Sequence, residues 1–152
     1  MAEQTRGDDI LDRFSEPTAA WFRSSFAAPT DAQVGAWTAT SSGRNALVVA
    51  PTGSGKTLSA FLWAIDRLVV EGPPEDPMRR CRVLYVSPLK ALAVDVERNL
   101  RSPLVGIGHA ARRLGLPDSA AVSDISVAVR SGDTPAAERR AFAKAPSDIL
   151  IT

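Results

Sequence analysis

Several scarcities frame this chain before any motif is read. A single cysteine, Cys81, in 152 residues excludes an intrachain disulfide and fits a reducing, cytoplasmic setting. Its plainer role is that of a small hydrophobe at a strand edge. A single histidine, His109, has no second histidine or carboxylate at ligand spacing. It reads as a surface or loop residue, which sets aside a histidine-based metal site or general base. Neither sign of charge prevails: 18 Lys and Arg against 17 Asp and Glu leave +1. That balance gives no global footprint for nucleic acid, while leaving room for a local basic stripe. Long apolar runs are missing too, and the polar, acidic start Met1 to Arg13 is unlike a secretory leader. A soluble intracellular protein is expected, and no internal repeat or low-complexity tract is visible.

What is present has the make-up of a globular domain, or of part of one. Residues 1–13 lack periodicity and are expected to form a loose arm. A short helix fits Pro17 to Phe26, with Trp21 and Phe22 on its buried side. After Pro29, Thr30-Asp31-Ala32-Gln33 has the spacing of a capping box, and Ser41-Ser42-Gly43 ends the helix it opens. Residues 46–50 read as a first strand. A helix from Lys56 to about Val70 then carries Leu58, Phe61, Leu62, Ile65, Leu68 and Val69 at helical spacing. The proline-rich stretch 72–77 is a surface loop. Val83 to Val86 is an apolar run of the parallel-strand type, followed by a helix from Lys90 to about Leu100 and a short one near Ile107 to Leu114. Strands at Ile125–Val129 and Ile149–Ile151 flank a helix over Pro135 to Lys144. Strands alternating with helices imply an α/β fold, a parallel sheet with right-handed crossovers. The chain stops at Thr152 just after a buried-type strand. Four such strands leave an edge that wants covering, so a domain incomplete at its C-terminus is the expectation.

The run Ala50-Pro51-Thr52-Gly53-Ser54-Gly55-Lys56-Thr57 carries the most chemistry. Gly53 and Gly55 can adopt backbone angles that let successive N–H groups point at phosphate oxygens. The helix opening at Lys56 adds free N–H groups and a partial positive charge. Lys56 would reach the β- and γ-phosphates, and the Thr57 hydroxyl would hold Mg²⁺. Ala50 stands where the general pattern has a further glycine, a small departure since alanine still permits a tight exit from a strand. These residue types point to a bound nucleoside triphosphate.

Other segments are ambiguous alone. Gln33 could pair bidentately with N6 and N7 of adenine, or simply cap its own helix. Ser87, Pro88, Leu89 and Lys90 follow a strand, where a helix N-terminus could grip a nucleic-acid phosphate. On spacing alone they read as an ordinary helix start. Gly132, Asp133 and Thr134 form a second strand-turn-helix junction, with Asp133 or Thr134 as a candidate N-cap. The pairs Arg112-Arg113 and Arg139-Arg140 read as solvated helix faces.

In order, Pro-Thr-x-x-Gln, Ala-Pro-Thr-Gly-Ser-Gly-Lys-Thr, Ser-Pro-Leu-Lys-Ala-Leu, Gly-Asp-Thr-Pro and Asp-Ile-Leu-Ile-Thr resemble the start of a superfamily 2 helicase of DEAD/DEAH type. The runs Tyr85 to Leu100 and Arg130 to Arg140 are most similar to the large helicase-related (Lhr) family. The resemblance covers Phe26 to Thr152 and implies a partial RecA-like ATP-binding domain over 26–152, after an arm and helix over 1–25. It implies that Gln33 reads adenine, with Phe26 as an aromatic neighbour of the base, and that Thr52 to Thr57 hold ATP and Mg²⁺. It implies that Ser87 to Lys90 and Gly132 to Thr134 contact single-stranded or partly duplex nucleic acid, DNA before RNA. Such proteins spend ATP to translocate and unwind, closing two RecA-like domains in each cycle. No Asp-Glu-x-His/Asp motif follows here, and in such sheets the strand beside the P-loop strand comes later in the chain. Residues 1–152 alone are therefore expected not to hydrolyse ATP and to be marginally folded. Two other readings stay open: a different P-loop enzyme such as a small kinase, and a non-enzymatic nucleotide- or single-strand-binding module.

Overall fold

In the computed structural model, which describes residues 10–116 and 124–152, helix α1 (Glu16–Ser25) begins with Pro17 in its first turn. Proline costs no hydrogen bond there. The helix turns Trp21 and Phe22 into the core. Helix α2 (Asp31–Thr40) opens with the expected capping box. Gln33 N donates to Thr30 Oγ1 at 3.3 Å, and Thr30 N donates to Gln33 Oε1 at 3.0 Å. Helix α3 (Lys56–Glu71) buries Phe61, Leu62, Ile65 and Leu68 along one stripe. Its buried Asp66 accepts from Ser15 N at 3.0 Å, which ties the start of α1 to α3. There follow a 3₁₀ turn at Pro77–Arg79, β1 (Val83–Tyr85), α4 (Lys90–Arg113), β2 (Val127–Val129), α5 (Ala136–Lys144) and β3 (Ile149–Ile151).

The strands form a parallel sheet in the order β1-β3-β2, with Val83 and Val127 both level with Ile149. The path from β1 to β2 passes over the place of β3, and the path from β2 to β3 turns back. With right-handed crossovers, that reversal puts α4 and α5 on opposite faces. The face bearing Tyr85, Val127, Val129, Ile149 and Ile151 joins the main core, where the Tyr85 ring lies 5.2 Å from Phe61 of α3. Helix α5 buries none of its residues, and Leu84 on the other face stays 62% exposed.

Three expectations are corrected. Residues 46–50 are not a strand: they pair with no other segment among the described residues, and Leu47 and Val49 are 91% and 87% exposed. A strand exists through its ladder, and β1 finds its partner in β3. The two helices expected over 90–114 are one, since α4 runs through Pro103. An interior proline costs about 3 kcal/mol. Burying Leu100 and Ile107 on either side returns roughly 3–6 kcal/mol, which decides for continuity. The arm is not loose where described, because Ile10, Leu11 and Phe14 are buried; residues 1–9 lie outside the described residues.

The N-terminal edge of the sheet is organised by Asp148, 2% exposed. It accepts from Ser126 N at 2.8 Å, Ser126 Oγ at 2.9 Å and Arg80 Nε at 2.9 Å, with Arg82 Nη2 at 3.4 Å. Burial pushes its carboxyl up, but the Ser126 amide, the Arg80 guanidinium and the Ser126 hydroxyl outweigh that and hold it below the usual range. Cys81 is exposed beside this cluster, not packed as a strand-edge hydrophobe. Lost hydration and the Asp148 charge push its thiol up, away from the reactive thiolate.

Asp148→Ala should cost about 1–3 kcal/mol, because it leaves the Ser126 amide without an acceptor and removes one charged partner from Arg80 and Arg82, which keep Asp124 and Glu71. Since the folded carboxyl lies below the free value of about 3.9, its contribution is complete above that pH and is lost as pH falls through the folded value. Urea midpoints between pH 6 and 2.5 should fall more steeply for wild type than for Asp148→Asn. Parallel curves would reject this account.

Candidate nucleotide site and nucleic-acid edge

The glycine loop between residue 50 and α3 takes the shape that its composition predicts. Gly53 and Gly55 sit at φ of 84° and 78°, where other residues are strained. Ser54 Oγ donates to Pro51 O at 2.7 Å, and Lys56 Nζ donates to the Ala50 and Pro51 carbonyls, both at 2.6 Å. An ammonium has three donors, so these two bonds fix Lys56 over the loop and leave a donor for an anion.

Helix α2 is docked on this loop. Thr30 Oγ1 donates to Ser54 O at 2.9 Å, and Gln33 Nε2 reaches Gly55 O at 3.5 Å. The approach is so close that a Cβ on Gly55 would overlap the Gln33 amide. Of the two roles that the sequence left open for Gln33, the structure contains the cap of α2, and it adds a contact with the glycine loop. With Oε1 held by Thr30 N and one Nε2 hydrogen directed at Gly55, one donor and one acceptor site remain on the amide.

A cavity of about 660 Å³ brings Phe26, Gln33, Thr52, Gly53, Gly55, Lys56 and Thr57 together. Its volume suits a nucleotide. Ser54 closes the loop from outside that lining. The far wall was not foreseen: it comes from α4, with Leu92, Asn99, Ser102 and Pro103, and from Trp21 of α1. Leu92 and Asn99 lie in the Tyr85–Leu100 run, but no α4 residue was singled out for the nucleotide, since they reach this wall only after the fold lays that helix across the loop. No carboxylate lines the cavity, and among the described residues no cluster of three or more His, Cys, Asp or Glu could hold a metal. The glycine loop, Lys56 and Thr57 share this lining, and their chemistry suits a triphosphate. For Mg²⁺ they offer the single Thr57 hydroxyl.

The other two candidate segments meet at the C-terminal edge of the sheet. Ser87 N donates to Thr152 O at 2.6 Å and Arg130 N to Ile151 O at 2.7 Å, so the loops after β1 and β2 flank the end of β3. Ser87 Oγ bonds Leu89 O at 3.0 Å; Pro88 and Leu89 are exposed, and Lys90 opens α4. Across β3, Ser131 N donates to Thr134 Oγ1 at 2.8 Å, so Thr134 braces its own loop and does not cap α5. Gly132 and Asp133 form the exposed tip. Arg139 is corrected: it turns back from α5 to the carbonyls of Thr134 at 2.9 Å and of Gly132 and Ser131, holding the turn. Arg112, Arg113 and Arg140 are exposed, as is His109.

Comparison with known proteins agrees with this arrangement. The DEAD/DEAH box helicase family matches residues 30–152. The chain belongs to that family. Among individual helicases it is similar to the Lhr helicase and probable uracil glycosylase of Mycolicibacterium smegmatis, at 61% identity over 97% of this chain and 9% of the relative. It is 46% identical to the Lhr helicase/uracil glycosylase of Escherichia coli, over 100% of this chain and 10% of that protein. The solved structure of Mycobacterium smegmatis helicase Lhr bound to ssDNA and AMP-PNP superposes with a TM-score of 0.82 at 60% identity. That match covers 94% of this chain and 17% of the other. The chain spans about a tenth of the length of these two curated relatives.

Gly53 and Gly55 should differ on substitution. A Cβ at Gly53 meets no atom within 4 Å, so Gly53→Ala incurs only backbone strain of roughly 1–2 kcal/mol. Gly55→Ala adds the displacement of Gln33, and should lose more stability and more nucleotide affinity than Gly53→Ala. Equal losses in denaturant melts and nucleotide titrations would refute the Gln33 docking.

Proposed function

We propose that this chain is the ATP-binding portion of an ATP-dependent nucleic-acid helicase or translocase, acting on single-stranded or partly duplex DNA in the cytoplasm. The observation that carries the reading is the cavity in which Gln33 and the glycine loop are docked on each other. In this reading the Gln33 amide offers its remaining donor and acceptor to adenine N7 and N6. Guanine presents acceptors at both corresponding positions and is disfavoured. Phe26 lies against the base. The N–H groups of 52–57 and the Lys56 ammonium hold the β- and γ-phosphates, and the Thr57 hydroxyl is a ligand for Mg²⁺, which would neutralise charge developing on the phosphates. The relative solved with ssDNA and AMP-PNP supports both ligands.

Ser87 to Lys90 and Gly132 to Thr134 would contact the nucleic-acid backbone from either side of β3. Helix α4 begins at the first of these loops and lines the nucleotide cavity farther along, so one rigid element spans both ligands. A second RecA-like domain, for which the length of the relatives leaves room, would close over the nucleotide and shift the grip at each turnover.

Water activation needs a carboxylate near the γ-phosphate, and none lines the cavity. The 152-residue chain by itself is therefore proposed to bind ATP without turning it over. Lys56→Ala should weaken ATP binding about tenfold or more in calorimetric titration. Single-strand binding should fall steeply between 50 and 200 mM salt. Turnover by residues 1–152 that Lys56→Ala abolishes would overturn the inert-fragment reading. Failure of ATP to bind would overturn the nucleotide assignment itself.

A further inference from the structure

Trp21 belongs to none of the motifs, yet it lines the nucleotide cavity and is only 7% exposed. Its indole is seated on α4 at Gly106, so tightly that a Cβ there would overlap Nε1 and Cδ1 of the ring. Only glycine admits this approach. The same ring meets Phe26 edge-on, with centroids 5.9 Å apart and planes at 85°. Phe22 supports Phe26 from a second direction at 4.8 Å and 32°. Phe26 is the first residue past α1, in extended conformation, and its own ring stays 45% exposed at the cavity. A half-exposed ring at a helix end has several rotamers open to it. Here one edge contact and one tilted stack restrict it, and the edge contact is set by how deeply Trp21 sinks onto Gly106.

We propose that Trp21, seated on Gly106 of α4, is a positioning residue that holds Phe26 in place for base recognition in the nucleotide cavity. This rests on the reading above that an adenine nucleotide occupies the cavity. The inference predicts a division of labour. The glycine loop and Lys56 read the phosphates whatever the state of Trp21, whereas the grip on the base depends on α1 and α4 meeting at full depth.

The test compares ATP with inorganic tripolyphosphate, which has the charge and no base, by displacement of a fluorescent ATP analogue from the full chain. Gly106→Ala should lift Trp21 and weaken ATP about fivefold, with tripolyphosphate within about twofold of wild type. In a Phe26→Ala background the same change should have no further effect on ATP, as expected for residues that act through one contact. Equal weakening of both ligands, or no weakening of either, would overturn the proposal. Should Gly106→Ala fail to fold, Trp21→Phe replaces it, with about threefold weaker ATP and unchanged tripolyphosphate expected; unchanged ATP, or parallel losses, would overturn it equally. Loss of discrimination between wild type and Lys56→Ala for both ligands would instead bring down the nucleotide reading, and this inference with it.

Discussion

The sheet depends on one buried carboxylate. Asp148 immediately precedes β3, accepts from Ser126 just before β2, and pairs with Arg80 and Arg82 just before β1. A three-residue strand offers few ladder bonds, and these three strands are all that short. Their registry needs another source, and charge-assisted bonds converging at one point supply it. The Asp148 backbone joins in: Arg82 N and Val83 N both donate to its carbonyl, at 3.0 and 3.1 Å. Removing one such partner from a buried ionic cluster costs more than the cluster adds over apolar packing. That asymmetry makes the position intolerant of change.

Fastening the strand starts leaves the strand ends open for function. Loops after β1 and β2 reach past β3 at the far edge, where ligands of parallel α/β sheets bind. The glycine loop is reached differently. Its upstream segment has no ladder, so the loop is held by side chains: Thr30 and Gln33 from α2, and Lys56 from its own helix. The candidate nucleotide cavity thus rests on helix-to-loop docking, while the candidate strand-binding edge rests on the sheet. Helix α4 joins the two.

How much of this was legible in the sequence follows from the range of the interactions. The capping box at Thr30 and Gln33, the positive-φ glycines at 53 and 55, and the helix starting at Lys56 are decided within a few residues, and each stands where the pattern placed it. The strand at 46–50 failed because a strand needs a neighbour, which no local pattern can supply. The sequence reading split α4 into two helices, because the sequence hides the surface against which Leu100 and Ile107 pack on either side of Pro103. Arg139 looked like half of a solvated pair, and only the folded turn gives it carbonyls to hold. Trp21 read as core, correctly, but its place on the cavity wall depends on Gly106, far along the chain.

The unpaired segment before the glycine loop has a consequence for how the molecule behaves in bulk solution. Val48 packs inward while Leu47 and Val49 point out, so the segment has the alternation of a strand and a bare backbone beside it. Such an edge is a template for any other extended chain. Leu84 and Val86, at 62% and 71% exposure, add a second sticky surface. A net charge of +1 supplies little mutual repulsion to keep copies apart. These bare apolar surfaces and that low charge together favour association between copies of the chain at neutral pH.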